Sequence, residues 1–202
     1  VFLVDCEDSF VNTLADYLRQ ADAEVLTVRG RMSSQLLKTQ LSSYQPDLVF
    51  FSPGPGSPGD FDLPVKIDVA IRQGFPVFGV CLGLQGIVQY FGGELATLPH
   101  PMHGKSSHIR VLGGRILRGL PQEFVAGRYH SLHAVRKSLP AALEITAESE
   151  DGVVMAIEHR SLPVAAVQFH PESIMTLKGR TGLKMIENAL AVLTEQRLSA
   201  LA

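Results

Sequence analysis

Tryptophan is absent from this 202-residue sequence, and cysteine occurs only twice. Two cysteines are too few for a disulfide framework, so the expected compartment is a reducing cytoplasm. No apolar run approaches the roughly 20 residues of a membrane helix. No basic segment followed by an apolar stretch marks a signal peptide. Charge of either sign is scarce: 18 Lys and Arg against 20 Asp and Glu give a net charge of −2. That leaves no basic footprint for nucleic acid. An initiator methionine is missing too, and the chain opens directly into Val1-Phe2-Leu3-Val4. A strand at residue 1 is expected of a trimmed chain or of a domain cut from a longer one.

What is present points to a folded domain. Hydrophobic residues make up 46% of the chain, enough to bury a core in one domain spanning residues 1–202. Disorder needs the opposite composition. The apolar runs Val1–Val4, Leu48–Phe51 and Val77–Val80 are short, continuous and ended by turns. Such runs fit strands buried on both faces of a parallel sheet. Helical patterns lie between them. Phe10, Leu14, Tyr17 and Leu18 form one, capped by Asp8 or Ser9. Leu36, Leu37 and Leu41 form a second, capped by Ser33 or Ser34. Val65, Val69 and Ile71 form a third, ending at Gly74. The second half changes to β-like stretches: His108–Leu112, Phe124–Tyr129, Leu143–Ala147, Val153–Glu158 and Val164–Phe169. Gly113-Gly114 and Asp151-Gly152 are turn signals between such runs. Gly182–Leu198 reads as an amphipathic helix with Leu183, Ile186, Leu190 and Leu193 on one face. The expected fold is α/β: a three-layer, open, mainly parallel sheet with flanking helices. A small antiparallel β region is expected in the second half.

Gly79-Val80-Cys81-Leu82-Gly83 is the strongest chemical signal. An apolar strand runs into it and the helical stretch Gln85–Phe91 runs out. This is a G-x-nucleophile-x-G elbow with cysteine as nucleophile. The alternative is a buried structural cysteine at a strand end. A helix start favours the thiolate, and the Leu82 N–H points where an oxyanion could form. His170-Pro171-Glu172 follows an apolar run and offers a base with an orienting carboxylate, or else a simple turn. The loop Ser52–Asp60 holds three prolines and three glycines. It can bring a second N–H to an oxyanion, or serve only as a rigid turn. Cys6, among acidic neighbours, reads as a non-catalytic small residue. His100, His103 and His108 lack a Cys or carboxylate to complete a ligand set, so no metal site is expected. The spacing of His130 and His133 says little by itself.

Together, Phe78–Gln85, Ser52–Gly56, Tyr129–Leu132 and Gln168–Ser173 resemble a class I, triad-type glutamine amidotransferase domain of flavodoxin-like fold. Glu7-Asp8-Ser9-Phe10 and Met102-His103-Gly104-Lys105 resemble the subgroup serving chorismate enzymes. Within that subgroup, the chain is most similar to the amidotransferase portion of fused bacterial anthranilate synthases. One departure is Gly83-Leu84-Gln85, where the subgroup has Gly-His-Gln. The resemblance implies Cys81 as nucleophile, His170 as base and Glu172 as its orienting carboxylate. It implies an oxyanion site at Leu82 and the Gly54-Pro55-Gly56 loop. It places L-glutamine against Gln85, Ser131 and Leu132. The partner it implies is a chorismate-binding synthase domain or subunit, and the pathway is tryptophan biosynthesis. It implies no cofactor in this region, magnesium belonging to the synthase. Other readings are the same role in aminodeoxychorismate synthase or secondary metabolism, a non-catalytic regulatory domain, and a cysteine hydrolase acting on a γ-glutamyl amide.

Overall fold

The apolar runs become the middle of one sheet. In this computed structural model, residues 1–201 are described, with side chains described through residue 195. In chain order the elements are β1 (Phe2–Asp5), α1 (Val11–Gln20), β2 (Leu26–Arg29), α2 (Ser34–Tyr44), β3 (Val49–Phe51), α3 (Leu63–Arg72), β4 (Val77–Val80) and α4 (Leu82–Tyr90). There follow β5 (Leu95–Thr97), β6 (Lys105–Val111), β7 (Glu123–Arg128), β8 (Leu132–Ala134), β9 (Leu143–Ser149), β10 (Val154–His159), β11 (Val164–Val167) and α5 (Thr181–Leu201).

The main sheet has nine strands in the order β2-β1-β3-β4-β11-β10-β9-β6-β7. The first five are mutually parallel. The strands β10, β9, β6 and β7 continue the same sheet in antiparallel pairing. Only β5 and β8 form a separate antiparallel ribbon, so the antiparallel region is mostly an extension of the main sheet. The architecture is the expected three layers. Successive strand residues point to opposite faces, and the core divides accordingly. Leu3, Phe50, Phe78 and Val167 share one face with Leu14 and Leu18 of α1 and Ile186 and Leu193 of α5. Phe2, Val4, Phe51 and Val77 share the other with residues of α2, α3 and α4.

Local chemistry marks some boundaries, although the N-cap of α1 is Phe10, with no side-chain cap bond, rather than Asp8 or Ser9. Asp8 Oδ1 accepts from the Phe10 N–H ahead of α1 at 2.7 Å. Ser33 caps α2 by accepting from the Leu36 N–H at 3.2 Å. Gly74, at φ +77°, follows the end of α3. The third helix buries a different face from the expected one. Val65 is 53% exposed, and Leu63, Lys66, Ile67 and Ala70 face the core. Lys66 tolerates this because its ammonium donates to the carbonyls of Gly30 and Phe61. Leu36 likewise faces out, leaving Leu37 and Leu41 as the buried positions of α2.

The loops carrying most candidate residues leave the carboxyl ends of parallel strands, whereas Ser131 and Leu132 lie where β7 gives way to β8, both antiparallel strands. Cys6–Ser9 follows β1, Ser52–Gly56 follows β3, Cys81 follows β4 and Gln168–Glu172 follows β11. That is the edge where open α/β sheets bind ligands.

Candidate active site

Cys81 sits between β4 and α4 with φ 53° and ψ −98°. A non-glycine residue at positive φ is costly and is held only by its surroundings. The flanking glycines are required by close approach. A Cβ on Gly79 would lie 2.5 Å from the carbonyl carbon of Gly83. A Cβ on Gly83 would lie 2.5 Å from the carbonyl oxygen of Phe51. The Cys81 N–H is tied to the Val167 carbonyl at 2.8 Å, so the elbow is stitched to β11. Its carbonyl starts α4 by accepting from the Gln85 N–H at 3.1 Å. The Leu82 N–H belongs to the first turn, where helices leave donors without intrahelical partners.

Past β11 the chain brings Gln168 and His170 toward Cys81. The Gln168 Nε2 lies 3.4 Å from Sγ. His170 is also in contact with the Cys81 side chain. The His170 Nδ1 is 2.8 Å from Glu172 Oε1. Backbone bonds hold this segment: the His170 N–H donates to Gly127 at 3.0 Å, and the Thr176 hydroxyl donates to the His170 carbonyl at 2.7 Å. Aromatic rings flank the imidazole, Tyr129 at 4.8 Å and Phe10 at 5.8 Å between centroids. Burial works to lower the His170 pKa, but Cys81 and Glu172 together outweigh it and hold the ring well above its ordinary value. Among the described residues, no aligned hydrogen bond reaches the buried His170 Nε2 or Glu172 Oε2.

The other expected residues converge less evenly. Gly54 runs so close to Cys6 and Leu82 that a Cβ would lie 2.7 Å from Cys6 Cβ and 2.8 Å from Leu82 Cδ2. Pro55 and Gly56 form an exposed rim. The Gln85 Nε2 donates to the Leu132 carbonyl at 3.0 Å and reaches Gln168 Oε1 at 3.4 Å. The Ser131 carbonyl accepts from the Leu98 N–H at 2.7 Å.

A profile of glutamine amidotransferase class-I matches residues 2–190. The chain belongs to the class I glutamine amidotransferases. It is 57% identical over 190 residues to anthranilate synthase of Azospirillum brasilense, covering 94% of this chain but only 25% of that protein. It thus spans a quarter of that relative's length. It is 42% identical to anthranilate synthase component 2 of the same organism, over the full length of both. Identity to the aminodeoxychorismate/anthranilate synthase component 2 of Bacillus subtilis is 38%, over 91% of this chain and 93% of that one. A crystal structure described as that of a GMP synthase subunit from Thermoplasma acidophilum superposes with a TM-score of 0.84. It covers 100% of this chain and 96% of its own at 23% identity, which speaks to the fold alone.

The amidotransferase holds features that sequence reasoning passed over. Asp8 brings a carboxylate beside the His170–Glu172 pair, with one atom of each residue lying within 4.8 Å of the others. Burial raises its pKa, against the Phe10 N–H and His170. Nδ1 of His170 and Oε1 of Glu172 already bond to each other, so this group acts first as a hydrogen-bonded pair with a flanking carboxylate. Among the described residues, His100, His103 and His108 form no such group. The wholly buried Arg128 donates to Ser107, to Asp151 and to His130 Nε2, the last at 3.1 Å. His130 Nδ1 therefore carries the proton and donates to the Leu132 carbonyl at 2.9 Å. Burial and the neighbouring Arg128 push His130 down to about 4. The signal for Asp8 and His130 was their position in Glu7–Phe10 and Tyr129–Leu132, at strand ends, though nothing local states their contacts, and Arg128 sits outside both segments at the end of β7. Among the described residues no helix is long and apolar enough to cross a membrane.

Proposed function

We propose that this domain hydrolyses L-glutamine to glutamate and ammonia, and delivers the ammonia to a chorismate-binding synthase region for anthranilate formation. One observation carries the chemistry. A cysteine at a strained elbow on a helix start has as a neighbour a histidine whose Nδ1 lies 2.8 Å from a glutamate. The high identity to anthranilate synthase supports chorismate as the acceptor.

The thiol proton of Cys81 passes to His170 Nε2, the nitrogen left without a hydrogen bond. The sulfur attacks the carbonyl carbon of the glutamine side-chain amide. The oxyanion takes hydrogen bonds from the Leu82 N–H and the Gly54–Gly56 backbone. His170 returns its proton to the amide nitrogen, the C–N bond breaks, and ammonia leaves. Water then gives a proton to His170 and a hydroxyl to the thioester, which releases glutamate and restores the thiol. Glu172 keeps the imidazole oriented and stabilises its charged form. Both hydrogens of the Gln85 amide already have protein acceptors, so Gln85 offers the substrate only its Oε1.

The test uses the full-length protein, or its complex with the synthase subunit, supplied with glutamine, chorismate and magnesium. Anthranilate fluorescence is followed for wild type and Cys81→Ala. Glutamine-dependent synthesis should fall ~10³-fold or more in the variant. Synthesis from ammonium salts should persist. Loss of both activities together would refute the division of labour. Glutamate release without anthranilate would move the acceptor chemistry toward aminodeoxychorismate formation.

A further inference from the structure

Gln168 takes no part in the steps above, yet it touches the reacting sulfur. It stands two residues before His170 where β11 runs out, so both side chains project to the same side of the chain. It is 0% exposed, whereas Cys81 retains 5%. A buried primary amide is costly unless its groups are paired, and an apolar residue would fill the space without that cost. Gln168 is paired at both ends. Nε2 meets Cys81 Sγ at 3.4 Å, and Oε1 meets Gln85 Nε2 at 3.4 Å. Gln85 donates in turn to the Leu132 carbonyl, which His130 also holds, and His130 is held by Arg128. An unbroken series of hydrogen bonds thus runs from a buried guanidinium through the Leu132 segment to the sulfur.

We propose that Gln168 is a positioning residue that acts through Cys81: it orients the sulfur from the protein side and ties that orientation, through Gln85, to the Leu132 segment. This rests on the glutaminase reading above. His170 carries its proton away to the leaving ammonia, so it serves the sulfur only intermittently. Gln168 cannot titrate and donates throughout the cycle. An N–H donor favours thiolate over thiol. Because this donor lies on the fully buried side, the open side of the sulfur is left to the substrate.

Gln168→Glu and Gln168→Met test this in the full-length protein. Three quantities are read: glutamine-dependent kcat and KM, ammonia-dependent synthesis, and the pH midpoint of Cys81 alkylation by iodoacetamide, located by peptide mapping. The other titratable groups around the sulfur, His170, Glu172, Asp8 and His130, are unchanged in both variants. Gln168→Met should lower kcat about tenfold or more, the worth of a hydrogen bond to a charged group. KM should move much less, and ammonia-dependent synthesis should hold. Gln168→Glu should raise the alkylation midpoint by about 1–3 pH units, because a carboxylate beside a thiolate opposes its formation. Its kcat relative to wild type should recover as the pH falls and the new carboxyl becomes a neutral donor. Wild-type kcat and midpoint in both variants would overturn the proposal. So would lost activity with an unmoved midpoint, which is the signature of a packing role. A wild-type protein that releases no glutamate would sink the glutaminase reading, and this proposal with it.

Discussion

Cys6 follows β1 and Cys81 follows β4, so both cysteines stand at the carboxyl edge of the parallel half of the sheet. Both are buried and both are free thiols. Their surroundings differ in donors. The Cys6 sulfur lies 3.9 Å from the Val4 carbonyl. Burial pushes its pKa up to about 12, and Ser52 and Lys66 only partly oppose this. Cys81 stands at a helix start, with the Gln168 amide and His170 against its sulfur. Strand-end placement and burial are thus common to the proposed nucleophile and to the thiol expected to be inert. The separation comes from the polar groups that β11 delivers to one of them.

The largest effect that tests this comparison is differential alkylation. A thiol with a pKa of about 12 is ionised to roughly one part in ten thousand at pH 8. Iodoacetamide at that pH should therefore label Cys81 at least ~10³-fold faster than Cys6 in the folded protein. Mass-spectrometric counting of the two cysteine peptides over time measures the ratio. Comparable rates would erase the distinction.

A smaller effect appears in alkaline stability. Cys6 is neutral in the fold up to about pH 12, but ionises from its ordinary value of 9.0 once unfolded. Between these values the unfolded chain holds fewer protons, so rising pH favours unfolding. Between pH 8 and pH 10 this costs about 1.4 kcal/mol. Cys6→Ser has no thiol to ionise there. The stability of wild type relative to Cys6→Ser, from urea unfolding, should fall by about that amount across the interval. A constant gap would mean that the Cys6 thiol is not set apart by burial.

The same contrast separates what is legible in the sequence alone from what is not. The elbow around Cys81 is legible because Gly79 and Gly83 frame the cysteine in sequence, although the clash that Gly83 avoids is with Phe51 of β3. His170 and Glu172 are legible because an extended segment puts residues two apart on one side. The parallel half is legible from unbroken apolar runs. The face of α3 is not, because Lys66 points inward with its charge on two carbonyls while Val65 points out. β2 is an edge strand with mostly exposed residues, and β5 and β8 have three residues each, too short for a period to register. Gln168 and Gln85 are 83 residues apart, and Arg128 hides its role in a β-like run. Such contacts exist only once the sheet has formed.

The smallest expected effect is on catalysis by Cys6→Ser. What Cys6 gives the Ser52–Gly56 loop, the proposed oxyanion loop, comes from its backbone and Cβ. Its N–H donates to the Ser52 hydroxyl at 2.8 Å, and that hydroxyl donates to the Pro53 carbonyl at 2.7 Å. Its carbonyl and Cβ form the wall against which Gly54 runs. Serine keeps every one of these atoms and shortens only the bond to the terminal one. Burying the hydroxyl costs about 1–3 kcal/mol at most, less if it reaches the Val4 carbonyl. Glutamine-dependent kcat should therefore stay within about twofold of wild type, the loop geometry being unchanged. Cys6→Leu is the opposing control. Added methylenes under Gly54 should cost about 1–3 kcal/mol in overpacking and displace the loop that Leu82 needs beside it. If serine cut kcat as deeply as leucine does, the Cys6 sulfur itself would be part of the machinery, and the two thiols would differ in degree rather than in kind.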